Sequence, residues 1–186
     1  GSEMCIRDRN ICLIGFNLTN FLLAISLSKK GFEVDIIFDE KNKSKSNNRT
    51  IGISKKNIEF LKSILNIPNQ FLWPIFQIEI LNLKNNPSKK IKFKDDKDEN
   101  FFLIKQNDLF QLSEKKCKQL KNIYFSKCTP NEILKLEKTN NYNFIINSQS
   151  NNILTKKFFS NNVKKDYESM AFTAILDHKK INNHTA

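Results

Sequence analysis

The chain has 186 residues, 39% of them hydrophobic and 11% aromatic, with a formal net charge of +12. That apolar content excludes a disordered chain, and no apolar run reaches the roughly 20 residues with which a helix crosses a bilayer. Four glycines in the whole chain exclude an intact glycine-rich nucleotide loop.

The positive charge is carried almost wholly by lysine; Arg7, Arg9 and Arg49 are the only arginines. The lysines are spread along the chain, and abundant Lys, Asn, Ile and Phe are what AT-rich codons write. We read the charge as solvated surface and expect no nucleic-acid partner; charge alone would favour a small basic RNA-binding protein. Cys5, Cys12, Cys117 and Cys128 form no C-x-x-C pair and lie far from the two histidines, so no metal site is expected. Cys12 sits in an apolar run and reads as a buried thiol, and the cytoplasm is the default compartment.

Residues 1–9 differ in character from the rest of the chain. Gly1-Ser2 resembles a cloning scar, and residues 4–9 resemble translated sequencing-adapter read-through. We set 1–9 aside as a non-native or disordered leader. Residues 10–14 (NICLI) form a nearly continuous apolar run ending at Gly15, which suits a strand buried on both faces. Leu18, Phe21, Leu22 and Ile25 then recur at helical spacing, with Lys29 and Lys30 in the last turn and Gly31 as the stop. Residues 34–38 (VDIIF) are a second strand. Such a β-α-β unit demands a parallel pair and a right-handed crossover.

Residues 39–50 read as a loop. Ser54 is placed to cap a helix carrying Ile58, Leu61, Ile64 and Leu65, which Pro68 ends. Phe76, Ile78 and Ile80 alternate with Gln77 and Glu79, and Ile91 and Phe93 alternate with lysines. These predict an antiparallel pair around the turn signal at 85–88. Asp108 with Gln111 resembles a capping box opening a helix that turns Leu109, Leu112, Cys117 and Leu120 inward. Strands are expected at 123–125, 133–136, 142–146 and 170–176. The chain stops soon after the last of these with no stop signal, which reads as a truncated reading frame. The order is that of an α/β fold with an antiparallel insertion.

A strand, a turn at Gly15, a helix, a second strand and an acid close behind are the layout of a dinucleotide-binding unit. Its glycines make the turn, admit the pyrophosphate to backbone amides, and let helix and strand pack closely. The G-x-G-x-x-G positions here read Gly15, Asn17 and Asn20. An ungapped count puts Phe38 where the ribose-binding acid belongs, with Asp39 one step later. A nucleotide site and a β-α-β unit used only as scaffold are both open at this point.

Five segments in order carry a wider resemblance: NICLIGFNLTNFLLAISLSKKGFEVDIIFD at 10–39; Arg49-Thr50-Ile51-Gly52-Ile53-Ser54, similar to R-x-I-A-L-S; IFQIEIL after Trp73-Pro74; FFLIKQNDLFQLSEK from 101; and Tyr167-x-x-x-Ala171 with Asp177-His178 and His184-Thr185-Ala186. Together they resemble the N-terminal half of the flavin-dependent aromatic hydroxylases of ubiquinone biosynthesis, the UbiH/UbiF/VisC type. The family's G-A-D-G segment falls on residues 147–150, with Lys156 or Lys157 as the basic residue after it. The arginine of its E-N-R segment falls on Asn107, after Lys105 and Gln106.

The resemblance implies an FAD/NAD(P)-binding Rossmann-like lobe, residues 10–72 and 104–162, with an inserted and incomplete antiparallel substrate-domain sheet, residues 73–103 and 163–186. It implies FAD as cofactor and NAD(P)H as reductant, with flavin contacts from Gly15, Asn17, Asn20, Asp39, Arg49, Gln106 and Gln149. No catalytic residue is assigned in this half. Function is implied as hydroxylation of a prenylated phenol, by a cytoplasmic protein associated peripherally with the inner membrane or with a ubiquinone-biosynthesis complex. The fragment itself is expected to be inactive. The alternative is a degenerate, non-catalytic homologue serving as a scaffold or accessory subunit.

Overall fold

A computed structural model describes residues 10–42, 49–81, 90–94, 101–139, 141–150, 152–159, 161 and 165–170. These fall into two compact units, one up to residue 46 and again from 110 to 171, the other from 47 to 109.

The first unit is a Rossmann-like α/β lobe. Strand β1 (Asn10–Ile14) pairs in parallel with β2 (Glu33–Phe38), joined by helix α1 (Leu18–Ser28). On its other side β1 pairs in parallel with β9 (Phe144–Asn147), and β2 pairs in parallel with β8 (Ile123–Lys127), giving the order β8-β2-β1-β9. Ile11, Cys12, Leu13 and Ile14 are all buried, as a parallel strand covered on both faces requires. Helix α1 sets Phe21, Ala24 and Ile25 into the core. Helix α3 (Gln106–Gln119) begins in the second unit and from Phe110 belongs to the first; there Ser113 and Cys117 are fully buried. Two shorter helices, α4 (Pro130–Lys135) and α5 (Ile153–Phe158), add Ile133 and Leu154 to a cluster with Cys12, Ile14 and Ile37.

The second unit holds β3 (Thr50–Ser54), α2 (Lys55–Ile64), β4 (Trp73–Ile75), β5 (Gln77–Leu81), β6 (Lys90–Lys94) and β7 (Phe101–Lys105). Its sheets are antiparallel, a three-stranded β3-β7-β4 and a separate pair β5-β6. In the pair Ile78 stands opposite Phe93 and Glu79 opposite Lys92, the register that the alternation demands.

Several sequence expectations change. Residues 50–54 are a strand rather than the end of a loop and a cap, because β7 offers them a ladder from Thr50–Lys105 to Ser54–Phe101. Ser54 precedes α2, but its side chain makes no capping bond. The boundaries expected after 72 and 103 therefore fall after 46 and 109, since β3 and β7 bind each other. The alternating run at 76–81 becomes β5, paired with β6 as expected, and Trp73–Ile75 just before it form the additional strand β4 on β7. Helix α3 starts at Gln106, two residues before the expected Asp108. Residues 133–136 are helical rather than a strand. Thr129 and Glu132 form a reciprocal capping box with Pro130 in the first turn, and this start signal outweighs the short apolar run. Thr129 also holds the Glu132 carboxyl below its usual range, through its backbone N–H and then its hydroxyl. The expected turn at 85–88 and nearly all of the expected strand at 170–176 lie outside the described residues.

Among the described residues no helix is long and apolar enough to cross a membrane, and no three or more His, Cys, Asp or Glu cluster as metal ligands. Burial, then Asp35 and Cys128, pushes the Cys12 thiol up to about 12; burial, then Glu114, does the same for Cys117.

The caps and thiols can each be tested. Thr129→Ala should cost about 1 kcal/mol, whereas Ser54→Ala should stay within about 0.5 kcal/mol. Urea unfolding followed by circular dichroism checks both, and equal losses would contradict the cap assignment. Raised folded-state thiol values mean that the unfolded chain releases protons first as pH climbs past 9. Stability should thus fall by about 1 kcal/mol per buried thiol between pH 7 and 9.5, and the Cys12→Ala/Cys117→Ala protein should show a flatter profile.

Candidate functional site: the turn after the first strand

The residues singled out at 15–20 stand where β1 ends and α1 begins. Gly15 has φ +121, a conformation that L side chains rarely adopt, and its N–H donates to Ile37 O at 2.8 Å. Only glycine makes this turn without strain. Phe16 then turns into the core. Its ring lies 4.9 Å from Phe21, 4.7 Å from Phe38, 6.1 Å from Phe110 and 6.0 Å from Phe125, in tilted and edge-on contacts.

Asn17 is the N-cap of α1. Its backbone is extended, and its Oδ1 accepts from the Asn20 N–H at 3.0 Å. Its Nδ2 donates to Ser148 Oγ at 2.8 Å, across 131 residues of sequence. Asn20 is fully buried; its Nδ2 donates to Gly15 O at 2.8 Å. Asn20 Oδ1 is buried without a hydrogen-bond partner among the described residues.

The loop after β9 faces this turn. Ser148 reaches back to β1, with both its N–H and its hydroxyl 3.4 Å from Ile14 O. Gln149 lies over Gly15: a Cβ on that glycine would stand 2.7 Å from Gln149 Cγ and 2.8 Å from Asn17 Nδ2. The loop is held from behind by amides. Asn152 Nδ2 donates to Asn147 Oδ1 at 2.6 Å, Asn147 Nδ2 to Thr155 Oγ1 at 2.8 Å, and Thr155 Oγ1 to Gln149 O at 2.6 Å.

The structure thus brings together Gly15, Asn17, Asn20 and Gln149. Asp39 sits past the end of β2, where its Oδ1 accepts from the Lys41 N–H at 3.1 Å and closes a local turn. Phe38, at the position of the ribose-binding acid, is buried against Phe16. Arg49 and Gln106 meet in the second unit. Arg49 Nε donates to Gln106 Oε1 at 2.5 Å, and the Gln106 N–H donates to Arg49 O at 2.9 Å. Sequence reasoning missed Ser148 as a functional contact and the phenylalanine cluster; the aromatic richness of the chain was the available signal for the latter.

A pyrophosphate needs free amides at the start of α1 and open space over Gly15. Here the Asn20 amide is already bonded by Asn17, and Gln149 and Asn17 take the space. The residues of this turn do not fit an extended dinucleotide.

No protein-family model matches the chain, and no curated protein matches it by sequence. Solved structures do. A tetrameric form of 2-methyl-3-hydroxypyridine-5-carboxylic acid oxygenase aligns with a TM-score of 0.51 at 14% identity, over 67% of this chain and 34% of that one. The p-nitrophenol 4-monooxygenase of Pseudomonas putida aligns with a TM-score of 0.51 at 16% identity, over 64% of this chain and 32% of that one. The chain spans about a third of the length of these oxygenases. At such identities the likeness establishes the fold alone, which about two thirds of this chain shares with part of these two oxygenases.

The buried amide at the turn is open to a direct test. Asn20→Asp removes the donor to Gly15 O and sets a carboxylate against that carbonyl. The new acid's folded-state pKa must rise, because only the protonated form can donate. The variant should be less stable by roughly 2–4 kcal/mol at pH 7, with part of the loss recovered near pH 5. Urea midpoints of variant and parent at the two pH values test this; a pH-independent difference would refute the buried bond.

Proposed function

We propose that this chain is a flavin-monooxygenase-like protein of the type that hydroxylates a prenylated phenol in ubiquinone biosynthesis, and that it is a non-catalytic homologue acting as a scaffold or accessory subunit. The oxygenase fold supports the lineage. The five sequence segments support the finer family and, with it, a partner in a ubiquinone-biosynthesis complex peripheral to the inner membrane. One observation carries the loss of catalysis: Gln149 and Asn17 crowd Gly15, the one glycine kept of the turn that a dinucleotide would need open.

A catalytic reading would have FAD, reduced by NAD(P)H, supply the oxygen chemistry, with the protein holding the aromatic ring and excluding water. Its support is the pairing of Arg49 with Gln106, two positions that the resemblance sets at the flavin. The two readings part on a simple measurement. Purified protein incubated with excess FAD and passed through a desalting column should emerge without the flavin band near roughly 450 nm. A stoichiometric yellow complex would establish the catalytic reading instead.

A further inference from the structure

In a strand-turn-helix nucleotide site the phosphates accept from the first amides of the helix. In this chain a side chain does that job, and it also ties the turn to the loop facing it. The Asn17 carboxamide accepts from the Asn20 N–H at 3.0 Å with one end and donates to Ser148 Oγ at 2.8 Å with the other. Ser148 is tied through its N–H and hydroxyl to Ile14 O, the last carbonyl of β1. Gln149 covers Gly15, and its position is fixed by its N–H to Asn147 Oδ1 at 3.1 Å and by Thr155 Oγ1 on its carbonyl.

A carboxamide suits this exchange. It offers both a donor and acceptors, whereas a phosphate only accepts, and it carries no charge that would need a cation. The loss of the second glycine has thus left more than an obstruction, because the residue in its place bonds a helix amide that a phosphate would have taken and the facing loop as well.

We propose that Asn17, Ser148 and Gln149 form a clasp that takes the place of a dinucleotide's pyrophosphate, locking the turn to the facing loop so that the lobe is complete without a cofactor. The proposal rests on the non-catalytic reading above and names the contact that replaces the cofactor.

A double-mutant cycle on the full 186-residue chain tests it. Asn17→Ser keeps a good helix cap but is too short to reach Ser148, so it removes the link and spares the cap. Ser148→Ala, at an exposed position, removes the same link from the other side. Each should lower the midpoint of thermal unfolding by about 2–4 °C, and the double variant should lose no more than the larger single loss. FAD at up to about 1 mM should leave the parent's midpoint unchanged, since a ligand that binds only the folded form must raise it. Additive losses, or no loss from Asn17→Ser, with no response to FAD would overturn the clasp and leave the non-catalytic reading standing. A concentration-dependent rise with FAD in the parent would overturn both.

Discussion

A strand bonded on both edges and covered on both faces leaves no room for a polar side chain, and it ends where the chain can leave the sheet without meeting a neighbour. In β1 this condition holds from Ile11 to Ile14, between β2 and β9. The exit falls on Gly15, whose positive φ turns the chain while its N–H stays on Ile37 O. The same exit drives Phe16 inward, where it gathers aromatic rings from α1, β2, α3 and β8. Beneath the strand, the Tyr142 hydroxyl donates to Asp35 Oδ2 at 2.6 Å. Burial, then this bond, raises the phenol above its ordinary range.

How far the fold could be read in advance depends on the same physics. Residues 10–38 were legible because a doubly buried strand, a helical period and a glycine stop each leave a distinct pattern. Strands β3 and β7 were not: FFLIK is apolar at four successive positions, and the short alternation of TIGIS runs straight into the helix that Ser54 precedes. Such runs become strands only when a partner ladder exists, and that partner lies about 50 residues away in sequence. At 133–136 the missed signal was local, the Thr129-Pro130-Asn131-Glu132 helix start. The turn's own residues were found by counting from Gly15. Their contacts were not, because a bond from Asn17 to Ser148 has no trace in either segment alone.

The losses at the glycine positions differ in kind. Asn17 is a favoured N-cap residue, and its side chain secures the start of α1. Asn20 sits where close packing is wanted, and its amide is used to hold Gly15 O, at the cost of a buried oxygen left without a partner among the described residues. Phe38 replaces an acid with a ring that the Phe16 cluster absorbs. Each of these residues gives the lobe a contact of its own.

Arg49 shows the same exchange in the second unit. In a chain that uses lysine nearly everywhere, one arginine suggests that a planar, directional donor was required. The structure supplies a use for it within the chain: Nε donates to Gln106 Oε1, while the backbone of the same two residues is joined at the end of the β3–β7 ladder. A lysine ammonium has no Nε to give this side-on bond. The arginine thus has a contact of its own at the join between β3 and the start of α3. In both units, residues that the family resemblance assigns to the cofactor make their contacts inside the protein.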